Sequence, residues 1–273
     1  MNVEITINPQ EVFELLEQEL PPGVFGCILV AGSLAAAYHY RGQLTEDGVK
    51  TKDADLILHP ADKAAAGSVV AEKLLDDGWK PRMSSEFVPG TETTPANQCP
   101  AIRLYPPTHD RYFIELLIVP SEGVRGREWQ KVNVGGQYYG LPTFEFMALL
   151  THRRRQSGKI EYADPAMMAL ANLLSHPELD NDPPMSTLVA GREIHRSSKD
   201  LGRILALAHL TDPDELDTWV EAWLDALKAE FPARWVALLR RTLAPDCERY
   251  CTTTSDSRKL TTPASTIFCT ATT

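Results

Sequence analysis

Apolar residues recur at helical spacing near the start of the chain, where Val12, Leu15 and Leu16 share one face behind Asn8 and Pro9. A side-chain acceptor at Asn8 and a proline at the first helical position predict a helix over residues 9–19. The pattern then shortens. Residues 27–31 form a compact apolar run that reads as a strand, residues 34–40 read as a helix, and residues 55–58 as a second strand. Residues 61–77 return to a helical period, with Val69, Val70, Leu74 and Leu75 on the buried side and Gly78 as the stop. Further strands are predicted near residue 87 and at 102–105, 112–119 and 131–134; the Pro-, Thr- and Gly-rich stretch 84–98 reads as loop in its greater part.

From residue 143 the period is helical. Helices are predicted over 144–154, 165–175, 199–210, 215–229 and 233–243, with a break at Asp182-Pro183-Pro184. Trp219, Trp223, Leu224 and Leu227 recur at the spacing of a packed face. The Thr- and Ser-rich end of the chain has no period and is predicted to be disordered. Three segments follow: an α/β domain over 1–142, a helical domain over 143–245 and a tail over 246–273.

Composition narrows the class. The 273 residues are 43% hydrophobic, enough for two modest cores. No run approaches the roughly 18 apolar residues of a membrane span, and the first residues lack the basic and apolar regions of a signal peptide. Cys27, Cys99, Cys247, Cys251 and Cys269 are odd in number and irregularly spaced, and Cys247 and Cys251 have no companion pair, so neither a disulfide framework nor a zinc site is expected. A cytoplasmic protein that does not enter a membrane is the expectation. The net charge of −10 argues against a general nucleic-acid coat, which needs clustered Lys and Arg.

The chemistry concentrates in Thr51-Lys52-Asp53-Ala54-Asp55-Leu56-Ile57-Leu58. Residues i and i+2 of a strand share a face, so Asp53 and Asp55 point the same way and repel unless a cation separates them. Magnesium favours such carboxylates together with substrate phosphates. Upstream, the strand ending at Ala31 runs into Gly32-Ser33 and a helix-prone segment. A helix starting there directs N–H groups and a positive dipole end at an anion, and Ser33 adds a hydroxyl donor. A third acid, Glu115, interrupts the β-prone run Tyr112–Val119, where a lone charge is costly to bury without a partner. Read singly, the Asp pair is equally a solvated strand end and Glu115 an edge-strand charge. Together, and in this order, they point to a metal site.

Ala31-Gly32-Ser33, Asp53-Ala54-Asp55-Leu56 and Glu115 resemble the motif of the nucleotidyltransferase superfamily, whose fold is shared with DNA polymerase β. The resemblance covers residues 25–120. It implies a mixed sheet flanked by helices and followed by a mainly helical C-terminal region. It also implies two Mg²⁺ ions on Asp53, Asp55 and Glu115, roughly 3.5–4 Å apart. Gly32 and Ser33 would hold the phosphates of a nucleoside triphosphate, assisted by Lys52. Two positions depart from the pattern: residues 44–49 lengthen the stretch before Asp53, and the third acid is Glu where Asp is commoner.

Ser198-Lys199-Asp200-Leu201-Gly202-Arg203 is similar to the Lys-Asp-Leu helix of AbiE-type toxin nucleotidyltransferases, with Arg203 where a second Asp is usual. That likeness implies Lys199 and Asp200 as accessory site residues, an RNA (tRNA) or protein acceptor, and an antitoxin partner. Asp200 has a second reading, as an acid favoured by the dipole at the start of a helix. Arg154 and Arg155, in the cluster with His152, Arg153 and Lys159, likewise have two: charge at a helix C-terminus, or a grip on the triphosphate or an RNA acceptor. Besides the toxin-like enzyme, two classes remain open: a small-molecule transferase of aminoglycoside type, whose cationic substrate would suit an acidic protein, and a non-catalytic nucleotide- or partner-binding domain.

Overall fold

A computed structural model of the chain describes residues 7–44, 51–82, 88–175 and 195–239. The predicted insertion over 45–49, the strand near 87, the break at 182–184, the end of the 233–243 helix and the tail with its cysteines lie outside the described residues. The chain divides into two compact units, Met1–Asp164 and Pro165–Thr273.

The first unit opens with α1 (Pro9–Glu19), whose N-terminus is capped as the sequence suggests: the Asn8 side chain accepts from the Gln10 and Glu11 amides at 2.9 and 3.5 Å. A 3₁₀ turn leads into β1 (Ile28–Ala31), then α2 (Gly32–His39), β2 (Asp53–Leu58) and α3 (Ala64–Asp76). Next come β3 (Lys80–Pro81), β4 (Arg103–Tyr105), β5 (Phe113–Ile118), β6 (Arg127–Val134), β7 (Gln137–Phe144), β8 (Arg155–Ser157) and β9 (Ile160–Tyr162). Seven of these form one mixed sheet in the order β3-β4-β5-β2-β1-β9-β8. β2 lies antiparallel to β1 and parallel to β5, and β1 runs parallel to β9.

The pleat explains the burial. Ala54, Leu56 and Leu58 of β2 and Ile114, Leu116 and Ile118 of β5 lie on one face and are fully buried. Phe13 of α1 stacks on Tyr38 of α2 at 3.9 Å, and Tyr162 of β9 meets both rings edge-on. Asp53, Asp55 and Glu115 belong to the opposite face and are half-buried.

β6 and β7 form a separate two-stranded ribbon. Val134 pairs with Gln137 across Gly135 and Gly136, both at positive φ, so the turn has the primed geometry that Gly-Gly favours. The sequence signal for β7 is blurred by Gly140 and Pro142, tolerated here because a two-stranded ribbon leaves edges.

One predicted helix is not formed. Residues 144–154 comprise the last residue of β7, a 3₁₀ segment (Glu145–Thr151) and the approach to β8. Phe146, Met147, Leu149 and Leu150 are buried, which gives a helix-like apolar pattern, but the segment is too tightly turned and ends before Arg153 at φ 46°.

The second unit holds α4 (Pro165–Ser175), α5 (Arg196–Leu210), α6 (Pro213–Leu216) and α7 (Trp219–Glu230). The predicted helix over 215–229 is therefore split, with Thr218 donating its hydroxyl to the Glu215 carbonyl at the break. α4 packs on α5 and α7, and Trp223 Nε1 donates to the Ala166 carbonyl at 2.8 Å. The mixed α/β sheet with flanking helices and the helical C-terminal region match the expected fold class. No helix among the described residues is long and apolar enough to cross a membrane.

Candidate active site

The acids gather where β1 ends and β2 and β5 begin. Strand register brings this about: Asp55 is the partner of Glu115 on β5 and of Ala31 on β1, and Asp53 stands two residues before Asp55 on the same face. Thr51 donates to Asp53 Oδ1 at 2.6 Å and fixes that carboxylate. Lys52 is exposed immediately before β2, and its carbonyl accepts from the Phe113 amide at 3.0 Å, extending the pairing with β5.

Gly32 begins α2 two residues earlier than the apolar pattern suggests. Its φ of +72° is a conformation other residues rarely adopt, and a Cβ there would stand 2.5 Å from Asp55 Oδ2. Glycine thus lets the Asp55 carboxylate lie against the first turn of the helix, whose dipole favours negative charge. The residue before the helix is Ala31, which offers no side-chain cap, and the Asp55 carboxylate is the negative charge that stands against the first turn of α2. Ser33 follows, half-buried.

Glu115 has a partner that sequence reasoning overlooked. Arg103, opposite it on β4, donates from Nη2 to Glu115 Oε1 at 2.9 Å. Its signal was present in the sequence: Arg103 is a lone cation in one β-prone run, as Glu115 is a lone anion in another.

Asp53 and Asp55 are two half-buried carboxylates on one strand face, beside a cradle at Gly32 that a single Cβ would fill. As the side chains stand, no group of three His, Cys, Asp or Glu residues among the described residues is placed to enclose an ion. The backbone register places Glu115 beside Asp55, while its carboxylate is engaged by Arg103.

Arg154 and Arg155 serve carboxylates in β9 and just beyond its end. Arg154 Nη1 donates to Glu161 Oε2 at 2.6 Å, and Arg155 Nε to Asp164 Oδ2 at 2.7 Å, where Asp164 is only 1% exposed. Glu161 also faces His59, whose buried Nε2 lies 3.8 Å from Glu161 Oε2 and makes no hydrogen bond. Burial foremost, and then the Arg154 charge, lower the His59 pKa, with Glu161 opposing.

Lys199 and Asp200 lie in the second unit. α5 starts at Arg196, three residues earlier than predicted, which puts Asp200 in its second turn, where the dipole is weaker. Asp200 is buried and faces Arg203 Nη1 at 3.6 Å, one turn along the same helix.

No protein-family model matches the chain, and no curated protein matches it. Among solved structures the chain is similar to the Megavirus polyadenylate synthase, with a TM-score of 0.37 and 13% sequence identity over 82% of this chain. The chain spans 37% of the length of that protein.

Proposed function

We propose that the protein is a Mg²⁺-dependent nucleotidyltransferase that moves a nucleoside monophosphate from a triphosphate to an acceptor hydroxyl. The observation that carries this reading is the register of Asp55 with Glu115, with Asp53 on the same face and a glycine-started helix against Asp55. In this reading Asp53 and Asp55, with Glu115 on the adjoining strand, are the ligands of two ions. When bound, Mg²⁺ would supply neutralising charge for the triphosphate and a lower pKa for the acceptor hydroxyl.

The chain's own residues bind and orient. The first turn of α2, with Ser33, receives phosphate oxygens, and Lys52 adds a positive charge from the solvent side. Thr51 holds Asp53 in one rotamer. The acceptor oxygen forms its bond to the α-phosphorus as the bond to pyrophosphate breaks, and the hydroxyl proton is released.

The acceptor we favour is an RNA end, such as tRNA, or a protein, in a cytoplasmic toxin-like enzyme with an antitoxin partner. This narrower reading is supported by the Lys199-Asp200-Leu201 segment alone. The test is to incubate purified protein with each labelled triphosphate, Mg²⁺, total tRNA, cell extract and an aminoglycoside. Label on RNA or protein supports the favoured acceptor, label only on the aminoglycoside supports the small-molecule class, and label on none of them overturns transfer.

A further inference from the structure

The ribbon of β6 and β7 lies beyond residues 25–120, the stretch that carries the family motif, and its two faces differ. Register puts Val132, Val134, Tyr139 and Leu141 on one face, all of them buried. α3 packs there: a Cβ at Gly67 of that helix would stand 3.2 Å from Leu141 Cδ1. The hairpin turn is tied to the same helix, the Gly135 amide donating to Glu72 Oε1 at 3.1 Å. The opposite face carries Arg127, Trp129 and Lys131 of β6 beside Tyr138 and Phe144 of β7. Cations and aromatic rings thus alternate along a surface about 26 Å long. Among the described residues of the ribbon, none on this face is acidic. Glu128 belongs to the other face, and Glu145, just past β7, is buried. Arg125, exposed just before β6, adds a third positive charge.

The rings are held in place. A Cβ at Gly140 would stand 2.6 Å from the Trp129 ring, so glycine lets the indole rest on the β7 backbone. The Arg127 guanidinium stands 5.2 Å from the Trp129 ring centre and 4.9 Å from that of Phe144. Lys131 stands 5.1 Å from the Tyr138 ring centre and donates to the Glu92 and Thr94 carbonyls, which pins that loop to the ribbon. Arg127 is exposed and Trp129, Tyr138 and Phe144 are half-buried, so charge and ring surface both reach solvent.

We propose that this face of the ribbon binds a single strand of nucleic acid, with Arg125 and Arg127 at phosphates and the Trp129, Tyr138 and Phe144 rings against bases. A net charge of −10 denies the chain a general attraction for polyanions, so a strand must find a local face where cations stand without acids. An acidic peptide would need the cations alone. The alternation of cation and ring matches a ligand that alternates phosphate and base. The inference uses none of the residues assigned to nucleotidyl transfer and does not rest on that reaction.

The experiment follows the fluorescence anisotropy of a labelled oligouridylate of about 12 nucleotides mixed with the full chain, without triphosphate and with divalent metal chelated. Wild type should bind saturably and more weakly as salt rises. Arg125→Gln and Arg127→Gln should each weaken binding by about tenfold and flatten the log–log salt slope by about 0.7, the effect of one lost phosphate contact on a single strand. Arg127→Lys should restore the slope. Trp129→Leu should weaken binding by about tenfold at an unchanged slope, the scale of one lost stacking partner. An abasic strand of the same length should bind wild type about tenfold more weakly and should not distinguish Trp129→Leu from it. Lys228→Gln, which changes the net charge equally from an exposed position in the second unit, should bind as wild type does. If Trp129→Leu does not fold, the exposed Arg125 and Arg127 variants and the abasic strand carry the test.

A wild type without saturable binding, or folded Arg127→Gln protein that binds as tightly as wild type, overturns the proposal. Equal affinity for the abasic strand overturns it too, since a plain anion site would then suffice. So does equal affinity for a labelled polyglutamate peptide of matching charge, which would make the face one for protein. Failure of the transfer reading looks different: label reaches no acceptor, while wild type and Asp53→Ala proteins still bind the oligonucleotide alike.

Discussion

A Cβ atom at residue 32 would stand 2.5 Å from Asp55 Oδ2, closer than real Cβ atoms come to a neighbouring atom. The contact joins the two halves of the proposed site, the helix that would receive phosphate and the acid that would hold a cation. Gly32→Ala should therefore fail twice. Its φ of +72° costs on the order of 1–3 kcal/mol for a residue with a side chain, and the added methyl pushes Asp55 out of place. We expect a melting temperature lower by several degrees and transfer activity reduced by more than Mg²⁺ in excess restores. Calorimetry beside a labelled-nucleotide assay checks both.

Asp53→Ala separates chemistry from folding. The substitution relieves like-charge repulsion with Asp55, so the melting temperature should hold or rise. Turnover should fall by about 100-fold or more, the scale expected when a metal-binding carboxylate is lost. Thr51→Val is the subtler partner of this test. It deletes the 2.6 Å bond to Asp53 Oδ1, and a hydrogen bond to a charged group is worth roughly 1.5–3 kcal/mol. Part of that would appear as a drop in kcat/KM of about tenfold, with little change in stability. Undiminished transfer by Asp53→Ala protein would sink the role assigned to that residue.

Arg154 and Arg155 are adjacent in sequence but differ in energetic setting. Arg155 meets Asp164, which is almost wholly buried, whereas Arg154 meets the partly exposed Glu161. Arg155→Met strips a charged hydrogen bond from a buried carboxylate and should cost about 1.5–3 kcal/mol. Arg154→Met should cost no more than about 1 kcal/mol, since exposed pairs contribute little. If Arg154 also grips the triphosphate, its loss raises KM for the nucleotide while the denaturation midpoint barely moves. Chemical denaturation and steady-state kinetics on the two variants distinguish these outcomes.

The local part of this site was readable from the chain alone, because period and spacing are local properties. Asp53 and Asp55 are two apart in a strand-forming run, and that spacing by itself places them on one face. The cap at Asn8 and the stop at Gly78 were legible for the same reason. That Glu115 belongs with them was expected from the family resemblance, but its register opposite Asp55 was not legible, since strand order and register arise from which faces meet in the folded sheet. Arg103 was missed with it, because an ion pair across strands has no spacing in sequence. The 144–154 segment misled because buried apolar residues in a 3₁₀ turn repeat every three or four positions, as a helix does. At Gly32 the apolar pattern marks only where packing begins, while the helix starts where a positive-φ glycine turns the chain.

His59 supplies a pH test that does not depend on catalysis. Its pKa is lowered, chiefly by burial and next by Arg154, from a usual value near 6.5. The unfolded chain therefore takes up a proton at a pH where the folded protein still resists one. Between the ordinary histidine range and the lowered folded value, the unfolded state binds more protons, so stability rises with pH. Acidification from pH 7 through pH 6 should destabilise the wild type, and the loss should stop growing once pH falls below the folded pKa. His59→Gln removes the titrating group and should flatten this part of the profile, leaving the contribution of the carboxylates at lower pH. Denaturation midpoints at half-unit steps between pH 5 and pH 7.5 measure the difference. Identical slopes for the two proteins would mean that His59 titrates alike in the folded and unfolded chains.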